Sequence, residues 1–148
     1  MAEFKYKAFI SYSHSDEKWA SWLHKGLETY RLPKHIVGQE TKFGSIPRRL
    51  VPIFRDRDEL STATNLGEVL NAALADSATQ IVICSPAAAA SHWVNEEILA
   101  FKRLNRSHRI FCLIVAGEPY ASAVAGKEDQ ECFPAAVRYQ LDDNGDLS

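Results

Sequence analysis

Two adjacent carboxylates, Glu96 and Glu97, lie in residues 91–104, S-H-W-V-N-E-E-I-L-A-F-K-R-L. Helical phase gives them different surroundings. At about 100° per residue, Trp93, Val94, Ile98, Phe101 and Leu104 share one apolar arc turned towards a core, and Glu97 falls inside it. Glu96 points away, towards a solvated side with Asn95 and Lys102. A carboxylate on an apolar face loses hydration and stays ionised only if a basic side chain, a helix N-terminus or a ligand compensates. Glu97 is therefore either a structural partner for a basic group elsewhere in the fold or a carboxylate kept for chemistry. A second concentration of charge, Arg55-Asp56-Arg57-Asp58-Glu59, reads by itself as a solvated loop whose local ion pairs add little stability.

Positioning these residues requires a frame, and the apolar patterning supplies one. Residues 7–11 (K-A-F-I-S), 81–84 (I-V-I-C) and 110–115 (I-F-C-L-I-V) are short continuous apolar runs, the pattern of strands covered on both faces. Cys84 and Cys112 lie inside two of these runs and read as buried free thiols. Residues 50–54 (L-V-P-I-F) form a strand that Pro52, unable to donate to a ladder, confines to a sheet edge. Residues 136–141 predict a weak fifth strand.

Helices separate these runs. The first starts at Ser15 as N-cap, with Asp16 and Glu17 in its first turn and Trp19, Leu23, Leu27 and Tyr30 as core positions. Asn65 caps the second, with Glu68 at capping-box spacing and Leu66, Val69, Leu70, Ala73 and Leu74 on its apolar face. Ser91 caps the third. Residues 31–49 lack periodicity and read as an insertion or flap. The alternation predicts an α/β, flavodoxin-like three-layer sandwich: a central parallel sheet of about five strands in the order 2-1-3-4-5, with helices on both faces. Ligands in such sheets bind at the carboxyl ends of the strands, a rim that here holds residues 11–15, 55–64 and 85–97.

Composition narrows the function classes. The 148 residues, 46% of them hydrophobic, suit one domain with a single sizeable core. A net charge of -2 with both signs interspersed argues against nucleic acid or an acidic membrane as the main partner. No apolar run approaches a membrane span and the first residues lack a signal-peptide core, so a soluble cytoplasmic protein is expected. The five histidines and three cysteines never fall at ligand spacing, which gives no support for a metal site. No glycine pattern of a dinucleotide fingerprint or phosphate loop occurs, and there is no G-x-S-x-G elbow. A receiver domain would need acidic residues after the first strand and an Asp closing the third, where this chain has Ser-Tyr-Ser and Cys-Ser. Asn144-Gly145 signals a hairpin turn with almost nothing after it, which suggests a domain cut from a longer polypeptide.

Three segments together resemble the Toll/interleukin receptor (TIR) domain family, in particular its prokaryotic members. A-F-I-S-Y-S-H at residues 8–14 is similar to the family's box 1. I-F-R-D-R-D-E-L at residues 53–60 is similar to the box 2 segment that opens the BB loop. S-x-W-V-x-x-E-I at residues 91–98 is similar to the signature of the enzymatically active members. The resemblance runs through most of residues 5–141, with two departures: Ser61-Thr62 replaces the Pro-Gly pair common in the BB loop, and residues 31–49 are longer than in the animal receptors. It implies cleavage of the nicotinamide–ribose bond of NAD+, which is substrate and not cofactor, with Glu97 as the catalytic residue. It further implies NAD contacts from Phe9, Ser11, Tyr12, Arg55, Arg57 and Trp93. Self-association with other TIR domains, through a loop containing Asp56, Asp58 and Glu59, would activate the enzyme in an immune or toxin-like system. The alternative from a different class is a non-enzymatic TIR scaffold that signals through TIR–TIR contacts alone.

Overall fold

The computed structural model describes residues 4–41, 44–55, 66–144 and 147. In chain order the elements are β1 (Tyr6–Ser11), α1 (Glu17–Thr29), β2 (Glu40–Thr41), β3 (Gly44–Ser45), β4 (Ile53–Arg55), α2 (Leu66–Ala75), β5 (Ser77–Cys84), α3 (Pro86–Ala89), α4 (His92–Lys102), β6 (Ile110–Ile114) and α5 (Ala135–Arg138). The main sheet is wholly parallel in the order β4-β1-β5-β6, the flavodoxin-like arrangement expected for the first four predicted strands. On one face α1 lays Ala20, Leu23 and Leu27 against Ala8, Ile10, Ile53 and Ile83. On the other, α2 and α4 cover Phe9, Phe54, Val82 and Cys84. β4 is an edge strand, as Pro52 requires, and its outer Ile53 N–H is satisfied by Glu28 Oε2 on α1 at 3.0 Å.

The sheet has four strands among the described residues, and the predicted fifth, residues 136–141, is corrected to the helical turn α5. The cause is local. Pro134 stands at the N-cap and accepts the amides of Val137 and Arg138 at 2.9 and 3.3 Å, while Asn95 Oδ1 takes the Ala136 N–H at 2.7 Å. Those donors are then spent, and Leu141 keeps only an isolated antiparallel bridge to Leu147. β6 is consequently an outer strand, with Phe111, Cys112 and Ile114 exposed, so the expectation that Cys112 is buried does not hold.

Three smaller expectations change as well. β5 starts at Ser77, before the apolar run, because the polar stretch S-A-T-Q pairs along β1. Ser15, the expected N-cap of α1, lies instead within a 3-10 turn, His14–Asp16; Asp16 takes the N-cap position without a side-chain cap bond, and its Oδ2 accepts the Ser85 hydroxyl, tying α1 to the end of β5. Trp19 and Tyr30 are exposed, since the arc facing the sheet is centred on Ala20, Leu23 and Leu27 and they fall on its flank. Trp19 meets Trp22 edge to face, with ring centroids 5.9 Å apart. In the segment expected to be an insertion or flap, Arg31 and Arg49 form an antiparallel bridge, and β2 pairs antiparallel with β3.

The long segment after β6 is organised by one buried carboxylate. Glu131 accepts from Tyr120 N at 2.9 Å, Ser122 N at 3.4 Å, Ser122 Oγ at 2.6 Å and Phe133 N at 3.2 Å, with Arg138 Nε 3.5 Å away. Gly117 lets the chain pass close by: at φ +83° its Cβ would stand 2.6 Å from Gln130 O. Burial pushes the Glu131 carboxyl up, but the hydrogen bonds from Ser122, Phe133 and Tyr120 outweigh it and hold it below the ordinary carboxylate range. A folded pKa below the unfolded one stabilises the fold above the unfolded value, about 4.3, and that contribution disappears as pH falls through the folded value. Glu131→Gln is expected to cost about 1–3 kcal/mol at neutral pH. It should also flatten the acid-side fall of the melting temperature, both readable by thermal denaturation across pH; an unchanged acid profile would show that Glu131 is not the group responsible.

Candidate active site

Ser91 starts α4: its Oγ accepts the Val94 amide at 3.3 Å, which fixes the helical phase of everything after it. Val94, Ile98 and Phe101 point straight into the core at 0% exposure. Trp93, Glu97 and Ala100, spaced i, i+4 and i+7, form the adjoining stripe, which faces α2. Glu97 therefore sits where the core face ends and an opening begins. It is 4% exposed, while Trp93 one turn earlier is 51% exposed. The sequence arc put Glu97 in its middle; in the fold Trp93 and Leu104 leave the core, and Glu97 becomes a border residue.

The opening is a cavity of about 290 Å³ between α2 and α4. Leu70, Asn71 and Leu74 form one wall, and His92, Trp93, Glu96, Glu97, Ala100 and Arg103 the other. Its walls fit a ligand with both apolar and hydroxylated parts: an aromatic face at Trp93, an amide at Asn71 and two carboxylates. Glu96 lines the cavity too and is half-buried, which corrects the expectation that it lies on a solvated side. Asn95 and Lys102 are likewise not simply solvated, since Asn95 binds the Ala136 amide and Lys102 Nζ donates to Tyr139 O at 2.9 Å. The opposite flank of α4 from the cavity is thus sewn to the C-terminal segment.

The other predicted site residues are distributed as follows. Phe9 is fully buried and stacked on Phe54, with centroids 5.0 Å apart. Ser11 is buried on the same sheet face and its Oγ accepts from Gln80 Nε2 at 2.8 Å. Tyr12 is buried on the α1 side with Ile10 and Ala20. Arg55 closes β4, half-buried and in register with Ile10. Arg57, Asp56, Asp58 and Glu59 lie outside the described residues, as does the Asn65 cap.

Asn71, His92 and Arg103 reach the cavity without having been singled out from the sequence. Only Arg103, seven residues after Glu96, carried a signal, the i+7 spacing of one helical stripe. Asn71 is brought in by the apposition of α2 and α4, which no local pattern encodes. The Asp16–Ser85 bond at the strand ends was equally unsignalled, because its partners are 69 residues apart. A larger, shallower depression of about 710 Å³ lies elsewhere, between Lys102, Arg103, His108 and Asp142. It has no buried carboxylate on its wall, so the smaller cavity is the better candidate for chemistry.

Comparison with known proteins bears on the family and the fold. The NAD(+) hydrolase ApTIR of Actinoplanes sp. is 33% identical over 138 residues, 90% of this chain and 18% of that protein, so the chain spans less than a fifth of that relative. Among solved structures, the TIR domains of the activated Roq1 resistosome directly recognizing the pathogen effector XopQ share the fold at a TM-score of 0.53 and 20% identity, over 80% of this chain and 61% of that chain. A family model for the TIR domain matches residues 8–139, and the chain belongs to the TIR domain family.

Proposed function

We propose that the domain is an NAD+ glycohydrolase that releases nicotinamide, with Glu97 as its catalytic residue. The observation that carries this reading is a carboxylate at 4% exposure on the wall of a cavity, one helical turn from an exposed tryptophan. Similarity to an NAD(+) hydrolase supports the choice of substrate.

One carboxylate suffices for this bond. Ordinary glycosidases need a second to protonate a departing alcohol, whereas the nicotinamide of NAD+ is cationic and leaves neutral as the C–N bond breaks. Positive charge then develops on the ribose. Glu97, poorly hydrated in its cavity, stabilises that charge more strongly than a carboxylate in water would, and accepts hydrogen bonds from the ribose hydroxyls. Water adding to the ribose carbon and losing a proton gives ADP-ribose; attack by a group of the substrate itself gives a cyclised product instead. Trp93 offers a ring face to a planar part of the substrate. Arg55 and Arg57 are the candidates for its pyrophosphate, because a guanidinium meets phosphate oxygens in a fork.

Glu97→Gln is nearly isosteric and removes the charge. It is expected to lower nicotinamide release by about 10²-fold or more while the melting temperature holds. Trp93→Ala should chiefly raise KM. Glu96→Gln, at the cavity but off the core stripe, should retain most turnover; equal loss in both Glu variants, both folded, would sink the assignment to Glu97.

The same reading includes activation by assembly. β4 is a sheet edge followed directly by the charged residues 56–59, a place where another TIR domain can meet the rim. A head-to-tail contact of this kind propagates unless it closes into a ring. Turnover per molecule should rise steeply with protein concentration or on fusion to an oligomerising module, and Asp58→Lys should suppress the rise. Flat specific activity, unchanged by Asp58→Lys, would mean a site complete in one chain. No nicotinamide release from assembled wild-type protein would favour the scaffold reading.

A further inference from the structure

The small net charge conceals a division along the chain: residues 1–55 hold ten Lys and Arg against five Asp and Glu, and residues 56–148 hold seven against fourteen. The fold gathers part of the basic excess in the segment before β4. There the Arg31–Arg49 bridge, with Leu32 N donating to Arg48 O, brings residues 31–34 beside 48–49. Arg31, Lys34, Arg48 and Arg49 are all exposed, and no ion pair joins any of them to a carboxylate among the described residues. The carboxylates on either side are engaged, Glu28 by the Ile53 N–H and Glu40 by the Ser45 hydroxyl. Like charges directly opposite on paired strands repel, and here two arginines stand so with no counter-charge from the described chain.

The segment after β6 has the opposite character. Tyr120 and Val124 are exposed there. Tyr120 is firmly held: its φ is +60°, Glu131 accepts its N–H, and its ring meets Phe133 edge to face with centroids 5.5 Å apart. The 3-10 turns Ala121–Ala123 and Glu128–Gln130 pack together, which brings Glu128 and Asp129 against the residues that follow Tyr120. Both acidic side chains are exposed and outside any ion pair among the described residues, while Lys127 is taken by Glu118 at 3.6 Å. An exposed aromatic rimmed by carboxylates is what a guanidinium surface complements, through ring contact and charge-assisted hydrogen bonds.

Strand order keeps the two surfaces apart, since the basic segment leads into β4 and the acidic one leaves β6, the opposite edges of the sheet. We propose that a second copy of this chain covers the basic surface: residues 31–34 and 48–49 of one molecule dock on the Tyr120, Glu128 and Asp129 surface of the next. Charge complementarity selects that partner, because the same molecule carries both the unpaired cations and the unpaired carboxylates. The contact is heterologous and adds molecules in one direction until a ring closes. Its effect on turnover rests on the reading that assembly activates the domain; the contact itself does not.

The test is sedimentation velocity over a range of protein concentrations, with nicotinamide release measured on the same samples. Wild-type protein is expected to associate, and raising salt from about 50 to about 300 mM should weaken the association about tenfold, because exposed charges are screened over that range. Arg48→Glu with Arg49→Glu, and separately Glu128→Lys with Asp129→Lys, should each weaken it by about tenfold or more at an unchanged melting temperature. An equimolar mixture of the two variants should recover it, since each supplies the surface the other has lost. Sedimentation reads the contact without substrate, so an assembly that obeys these charges yet releases no nicotinamide upholds the contact and counts against the enzyme reading instead. Association indifferent to salt and to both reversals, a mixture that fails to recover it, wild-type protein that stays monomeric throughout, or a basic surface that binds a duplex DNA oligonucleotide but no second copy would each overturn the proposal.

Discussion

Burying the apolar face of α4 on a parallel sheet takes Glu97 out of water with it, and much of the candidate site follows from that one constraint. Val94, Ile98 and Phe101 gain by leaving solvent, roughly 1.5–3 kcal/mol for each large side chain. The helix cannot rotate to expose Glu97 without giving up part of that gain. The carboxylate is thereby held at the junction of core and cavity by interactions that have nothing to do with chemistry. That is the condition a catalytic group needs: its position is set before substrate arrives.

The two flanks of α4 do different work. One looks across an open cavity to α2, whose C-terminal end is fixed by Arg106 donating to Leu74 O, Ala75 O and Ser77 O. The other is stitched to the C-terminal segment by Asn95 and Lys102, and that segment is itself set by the cage of donors around Glu131. Ser85, bonded to Asp16, holds the start of α1 against the end of β5 on the rim above. Glu97 thus stands between rigid supports on one side and a cavity on the other.

What the sequence disclosed, and what it hid, divides along local against tertiary information. Continuous apolar runs revealed β1, β5 and β6, Pro52 revealed the edge position of β4, and the Ser91 cap revealed α4; each signal is local. Helical phase alone marked Glu97 as unusual. The same phase misplaced Glu96, because it cannot know that α2 stands opposite and turns a presumed solvent face into a cavity wall. α5 was missed because Pro134 and Asn95 capture backbone donors that residues 136–141 would have needed as a strand. Cys112 looked buried because an apolar strand does not announce whether another will pair beside it. The roles of Arg57, Asp56, Asp58 and Glu59 rest on family resemblance, those residues lying outside the described structure.

The account stands or falls on where the nicotinamide ribose binds. The direct measurement is a crystal structure of the Glu97→Gln variant soaked with NAD+, in which slow turnover would preserve the substrate. The account predicts the nicotinamide ribose between α2 and α4, its hydroxyls within hydrogen-bond distance of the side chain at position 97 and a planar ring of the substrate against Trp93. Dinucleotide density confined to the depression beside Lys102, His108 and Asp142, with the cavity at position 97 unvisited, would contradict it.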